Sequence, residues 1–158
     1  MLMTSTLRVA IIDDDEHFVA LERALVEKNF PDAEITVVSE PVVPPDHNVY
    51  LLDNIFGDTE CAPEMVAHIR QANPNALIVL WSASLSLPLL KTLTRYGIDA
   101  VADKSDLNDL KAVLNVIREF SNRADERPTF FGTIRTIRDL LMHWNRRLEQ
   151  AESEETVS

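Results

Sequence analysis

Four short, mostly apolar runs constrain this chain more than any other feature, because each stops abruptly on a side chain able to do chemistry. Leu7 to Ile12 ends on Asp13-Asp14-Asp15, and Val49 to Leu52 ends on Asp53. Ala76 to Trp81 ends on Ser82, and Ile98 to Ala102 runs into Asp103-Lys104. Runs of this length with little alternation read as strands buried on both faces, as in a parallel sheet. Ile35-Thr36-Val37-Val38 is β-branched and reads as a further, shorter strand.

Helical patterns separate the runs. Phe18, Leu21, Leu25 and Val26 recur at helical spacing, with Glu22, Arg23, Glu27 and Lys28 assigned to the opposite, solvated face. Pro31 stops that helix. Pro63 suits the first turn of a helix carrying Met65, Val66 and Ile69 inward, which ends at Asn73-Pro74. Leu87, Leu90, Leu93 and Thr94 predict a short helix closed by Gly97 in the left-handed conformation. Ser105 is the expected cap of a helix carrying Leu107, Leu110, Val113, Leu114, Ile117 and Phe120. Strands alternating with helices predict a doubly wound, flavodoxin-like five-stranded parallel sheet of order 2-1-3-4-5 with right-handed crossovers. One expected helix is absent: Pro41, Pro44 and Pro45 forbid it between Ser39 and Asn48, leaving a proline-rich loop.

The remaining sequence divides the chain. Residues 1–121 read as one α/β domain and the charged stretch 122–128 as a linker. Residues 129–151 read as an amphipathic helix, and the acidic stretch 152–158 as a disordered tail. Phe130, Ile134, Ile137, Leu141, Trp144 and Leu148 step by four and three, a heptad seam suited to pairing with a second copy or to folding back. A net charge of −11 argues against a nucleic-acid surface. No apolar stretch suits a bilayer, no secretory signal is expected at Met1 to Thr6, and the single cysteine, Cys61, forms no internal disulfide; the expected compartment is cytoplasmic. His17, His47, His68 and His143 lack ligand spacing and read as surface or boundary residues, and Trp81 as core.

Parallel strands present their carboxyl ends to one crevice, where ligands collect. Asp13, Asp14, Asp53, Ser82 and Lys104 can therefore converge. Close carboxylates repel unless a hard cation neutralises them, and an all-oxygen donor set with open water positions suits Mg²⁺. A carboxylate can serve as a covalent nucleophile in aspartyl-phosphate chemistry, and a lysine ammonium or serine hydroxyl can hold a phosphoryl oxygen. Asp15 and Glu16 read as helix N-terminal acids rather than metal ligands.

An acidic pair after the first strand, Asp after the third, Ser after the fourth and Lys after the fifth resembles the receiver domain of two-component response regulators, over about Leu7 to Phe120. The resemblance implies that Asp53 accepts a phosphoryl group from the phosphohistidine of a sensor kinase or phosphotransfer protein. It implies Mg²⁺ on Asp14 and Asp53 directly, on Asp13 through water, and on the backbone carbonyl of Ile55. Lys104 and Ser82 would contact the phosphoryl oxygens. The protein would catalyse only its own modification and act through protein contacts.

The chain departs from that family at several points. Val101 stands where receivers usually carry Tyr or Phe, which weakens the expected aromatic switch and leaves room for a pseudo-receiver that only binds partners. Ser105 follows the lysine in place of proline, and Gly57 and Cys61 replace the family's proline and glycine after the acceptor. Ile55, two residues past the acceptor, predicts slow self-dephosphorylation by excluding attacking water. A third reading, a haloacid-dehalogenase-type phosphatase using Asp13 and Asp15, leaves Asp53 without a role.

Overall fold

A computed structural model describes residues 6–123, 126–129, 132, 133, 137, 138, 141 and 142. Strands β1 (Arg8–Ile12), β2 (Glu34–Val38) and β3 (Val49–Leu52) come first, with helix α1 (Glu16–Asn29) between β1 and β2. Strands β4 (Ile55–Phe56) and β5 (Thr59–Glu60) form a small antiparallel hairpin that the sequence reading did not anticipate. Helix α2 (Ala62–Ala72), β6 (Leu77–Ser82), α3 (Leu87–Tyr96), β7 (Ala100–Asp103) and α4 (Leu107–Asn122) complete the domain.

The sheet has five parallel strands in the order β2-β1-β3-β6-β7, the expected order once the hairpin is set apart. Strand order reverses between β1 and β3, so a crevice opens beyond their carboxyl ends. The central strands are sealed on both faces, which explains why their sequences do not alternate: Val49 through Leu52 and Leu77 through Trp81 are all buried. One core lies on the α1 and α4 side, around Ile11, Leu51, Trp81 and Phe120. The other lies on the α2 and α3 side, around Ile12, Leu52, Ile69 and Leu90.

Helix ends follow local chemistry, with one correction. Asp15 caps α1 by accepting from Phe18 N, Ser86 caps α3, and Gly97 closes α3 at φ 97°. The cap of α4 is Asp106, whose side chain accepts from Asn108 N, and not the expected Ser105. Ser105 is engaged one step earlier, where its amide and hydroxyl both donate to Asp103 Oδ1 and shape the turn after β7.

No helix forms between Ser39 and Asn48, as the prolines require. The loop itself covers that part of the sheet. Val43 packs with Val38 on the α2-side core. Tyr50 Oη donates to Pro44 O, while His47 donates from Nδ1 to Pro45 O and accepts the Thr36 hydroxyl at Nε2. Val42 stays 58% exposed. His17 and His68 are exposed, Trp81 is fully buried, and His143 lies outside the described residues.

The amino ends of the strands are held by a buried carboxylate. Asp99 accepts from Arg70 Nη2, from Arg127 Nε and from Ile78 N. Arg127, within the stretch read as a linker, also donates to Pro74 O and Gly97 O. Beyond it the Thr133 hydroxyl donates to Asp99 O, and two seam residues, Ile137 and Leu141, join the α2-side core of the same chain. The seam positions Phe130, Ile134, Trp144 and Leu148 and the tail 152–158 lie outside the described residues.

Candidate functional site

The parallel register sets up the site. Ile12 pairs with Leu52, so Asp13 and Asp53 are the next residues out on adjacent strands. Their amides stay in the ladder, Asp53 N donating to Ile12 O and Asp13 N to Val38 O, which turns both side chains into the crevice. Ser82 pairs with Asp103 across β6 and β7, and Lys104 N donates to Ser82 O, so the lysine leaves the sheet beside the serine.

Carboxylate oxygens of Asp13, Asp14 and Asp53 all lie within 4.8 Å of one another. Asp13 and Asp53 are 2% and 7% exposed, whereas Asp14 faces solvent. Lys104 Nζ bridges the buried pair, 3.0 Å from Asp53 Oδ2 and 2.7 Å from Asp13 Oδ2. Each acid also accepts a local amide, Asp53 Oδ1 from Asn54 N and Asp13 Oδ1 from Asp15 N, which fixes its rotamer. Ser82 is buried, and its Oγ accepts from Ser84 N at the start of the loop into α3. Ile55 opens the hairpin two residues past Asp53.

The charges perturb one another. Burial raises the Asp13 carboxyl above the usual range, and Asp53 raises it further, while Lys104 and the Asp15 amide pull it down without cancelling the rise. Burial alone would lower the Lys104 ammonium, but Asp13 and Asp53 outweigh burial and the net shift is upward.

Three residues matter here that the sequence analysis assigns elsewhere or, for Asn54, does not single out. Phe18, assigned only to the core face of α1, lies under the lysine: Lys104 Nζ is 4.6 Å from its ring centroid. The same ring meets Trp81 edge-on at 5.1 Å, joining the site to the α1-side core. Asn54 is wholly buried and its Oδ1 accepts from Ala62 N, tying the residue after Asp53 to the start of α2. Glu22, assigned to the solvated face of α1, is 1% exposed, and Leu21, assigned to the core, is 43% exposed. Spacing could have found Glu22, which stands four residues after Phe18 and four before Val26. Its carboxyl is held well above the usual range, first by burial and then by the charge of Asp13.

Asp15, the second acid of the phosphatase reading, commits its carboxylate to the α1 cap. Lys104 pairs with Asp53 at the centre of the site, and that reading leaves Asp53 without a role.

No family model matches the chain, and no curated protein matches it. Solved structures do. A CheY-like response regulator receiver domain protein from Methanospirillum hungatei JF-1 superposes with a TM-score of 0.65 at 20% identity, covering 77% of this chain and 98% of its own. The chain has the receiver fold. The phosphorylated cyanobacterial phytochrome response regulator RcpA matches with a TM-score of 0.62 at 13% identity, over 79% of this chain and 100% of its own. The Mn²⁺-bound response regulator Rcp1 gives 0.60 at 17% identity, over 72% and 93%. At these identities the likeness establishes the receiver architecture, and the chemistry rests on the residues themselves. Among the described residues no helix is long and apolar enough to cross a membrane.

Proposed function

We propose that this chain is a phosphoacceptor receiver of a two-component or phosphorelay system, with Asp53 as the acceptor. The observation that carries this reading is the buried Asp53 carboxylate, paired to Lys104 and flanked by Asp13 and Asp14 in the crevice where strand order reverses. A carboxylate oxygen of Asp53 attacks the phosphorus of a phosphohistidine on a sensor kinase or phosphotransfer protein. The P–O bond forms as the P–N bond breaks, and the imidazole leaves with the electron pair. Lys104 holds a phosphoryl oxygen and Ser82 hydrogen-bonds another. The protein so acts on itself and is no enzyme in the ordinary sense.

The donor set fits a divalent ion, with Mg²⁺ the first choice: oxygens of Asp13, Asp14 and Asp53 and the Ile55 carbonyl would hold it. When bound it would supply positive charge to the phosphoryl oxygens. That one structural neighbour is phosphorylated and another holds Mn²⁺ supports this assignment by analogy. Output through protein contacts in the cytoplasm, without nucleic acid or membrane, fits the net charge of −11. A homodimer through residues 129–150 would have to use seam positions other than Ile137 and Leu141, which pack on their own chain. Molar mass in solution with and without the residues after Arg127 tests it.

Intact-mass measurement after acetyl phosphate and Mg²⁺ tests the main reading. Wild type should gain one phosphoryl group and Asp53→Ala none; a gain in the variant, or none in wild type, refutes it. One observation favours the pseudo-receiver reading: Val101, where the family carries an aromatic, is a 5% exposed core residue with no ring to rotate. Absence of phosphoryl uptake by wild type would select that reading.

A further inference from the structure

Glu22 is a buried acid that the proposed reaction does not use. It projects from the middle of α1 and its Oε2 is buried without a hydrogen-bond partner. Phe18, one turn earlier on the same helix face, has its ring centroid 4.6 Å from Lys104 Nζ, so this face of α1 adjoins the pocket. The charges that act on Glu22 are those of the pocket: Asp13 first, then Lys104 and Asp53. Lys104 is already in contact with Asp13 and Asp53. A valine or leucine would fill this place in the helix without a desolvated carboxyl beside other carboxyls. The residue is therefore costly as packing, and its free oxygen lacks a donor.

We propose that Glu22 is a fourth carboxyl of the cation site, accepting a hydrogen bond from a water held by the ion that Asp13, Asp14 and Asp53 surround. The inference rests on the cation-site reading given above and adds to it a residue from outside the strand-end loops. Glu22 is not among the groups whose ligand oxygens lie within 4.8 Å of one another, so a water has to span the gap. That selects a small, hard cation that keeps part of its hydration shell, such as Mg²⁺ or Mn²⁺. A carboxylate at this remove orients the inner ligands and strengthens their hold.

The experiment is calorimetric titration of Mg²⁺ into full-length wild type, Glu22→Gln and Glu22→Leu, with the Mg²⁺-induced rise in Tm as a second measure. Loss of such an outer group weakens metal binding by about 10-fold to 100-fold. Glu22→Gln should fall near the lower figure, since its amide oxygen still accepts from the water. Glu22→Leu should fall further, since it offers no acceptor. Two variants of different chemistry, each checked for cooperative melting without the ion, keep the result decisive if one folds poorly. Unchanged Mg²⁺ affinity in the folded variants overturns the proposal while leaving the three-aspartate site intact. Absence of Mg²⁺ uptake by wild type, or uptake unaffected by Asp14→Asn, overturns the cation-site reading itself.

Discussion

Replacing Lys104 by Met removes the ammonium that contacts both buried carboxylates and leaves Asp13 and Asp53, 2% and 7% exposed, facing each other. The chain has two ways to respond. If both acids stay ionised, removal of one partner from a buried ion pair costs about 3–5 kcal/mol. If one takes up a proton, an ordinary carboxyl at about pH 7.5 would cost about 5 kcal/mol to protonate, and at about pH 5 only about 1.5 kcal/mol. Asp13 already sits above the ordinary range, first through burial, so its protonation is the cheaper route. The expected loss is therefore about 2–4 kcal/mol at about pH 7.5 without a divalent ion, and markedly less at about pH 5.

The sign follows from linkage. A carboxyl whose folded-state pKa is raised binds its proton more tightly in the native protein than in the unfolded chain. The associated stability is present below the unfolded value of 3.8 and is lost as pH rises through the folded one. Loss of Lys104 moves the folded value of Asp13 higher still and carries the window toward neutrality. Urea unfolding of wild type and Lys104→Met at both pH values measures the difference. A penalty below about 1 kcal/mol at about pH 7.5, the range of an exposed ion pair, would refute the reasoning. So would a penalty equal at the two pH values. Mg²⁺ at a hundred times its Kd should return about 2.7 kcal/mol to a variant that still binds it.

Other outcomes follow from the same structure. Ile55→Gln should hasten loss of phosphate from Asp53 by on the order of tenfold, because a water-holding amide replaces an apolar group and is a weaker device than a general base; phosphate release followed over time checks it. Asp99→Ala should cost about 3–5 kcal/mol in urea unfolding by leaving Arg70 without its buried partner. Arg127→Ala should cost only about 1 kcal/mol, since its side chain is 33% exposed and Asp99 keeps Arg70. Gly97→Ala should lower stability by about 1–2 kcal/mol, because φ is +97° and the added carbon would lie 3.1 Å from Arg70 Nε.

Much of the candidate site's geometry is legible in the sequence, for a local reason. An apolar run buried on both faces has to stop where the chain meets solvent, so a polar residue at its carboxyl end marks a position in the crevice. Asp13, Asp53, Ser82 and Lys104 are all of this kind, and the structure brings the acids and the lysine into contact. The prolines of the 39–48 loop excluded a helix by backbone chemistry alone, and Gly97 announced the end of α3.

Residues whose role depends on a neighbour far along the chain were not legible. Glu22 is charged and was assigned to solvent; the packing of α1 against the sheet turned it inward beside Asp13. Ser105 and Asp106 can both cap a helix, and the turn around Asp103 decided between them. Phe18 reads as core until Lys104 is laid across its ring. Sequence alone determined the alternation of strands and helices, because burial on two faces and helical periodicity are written into consecutive residues. Tertiary structure alone decided which charges share the pocket and where Ile137 and Leu141 are buried, because those contacts join residues tens of positions apart and depend on the order in which the strands assemble.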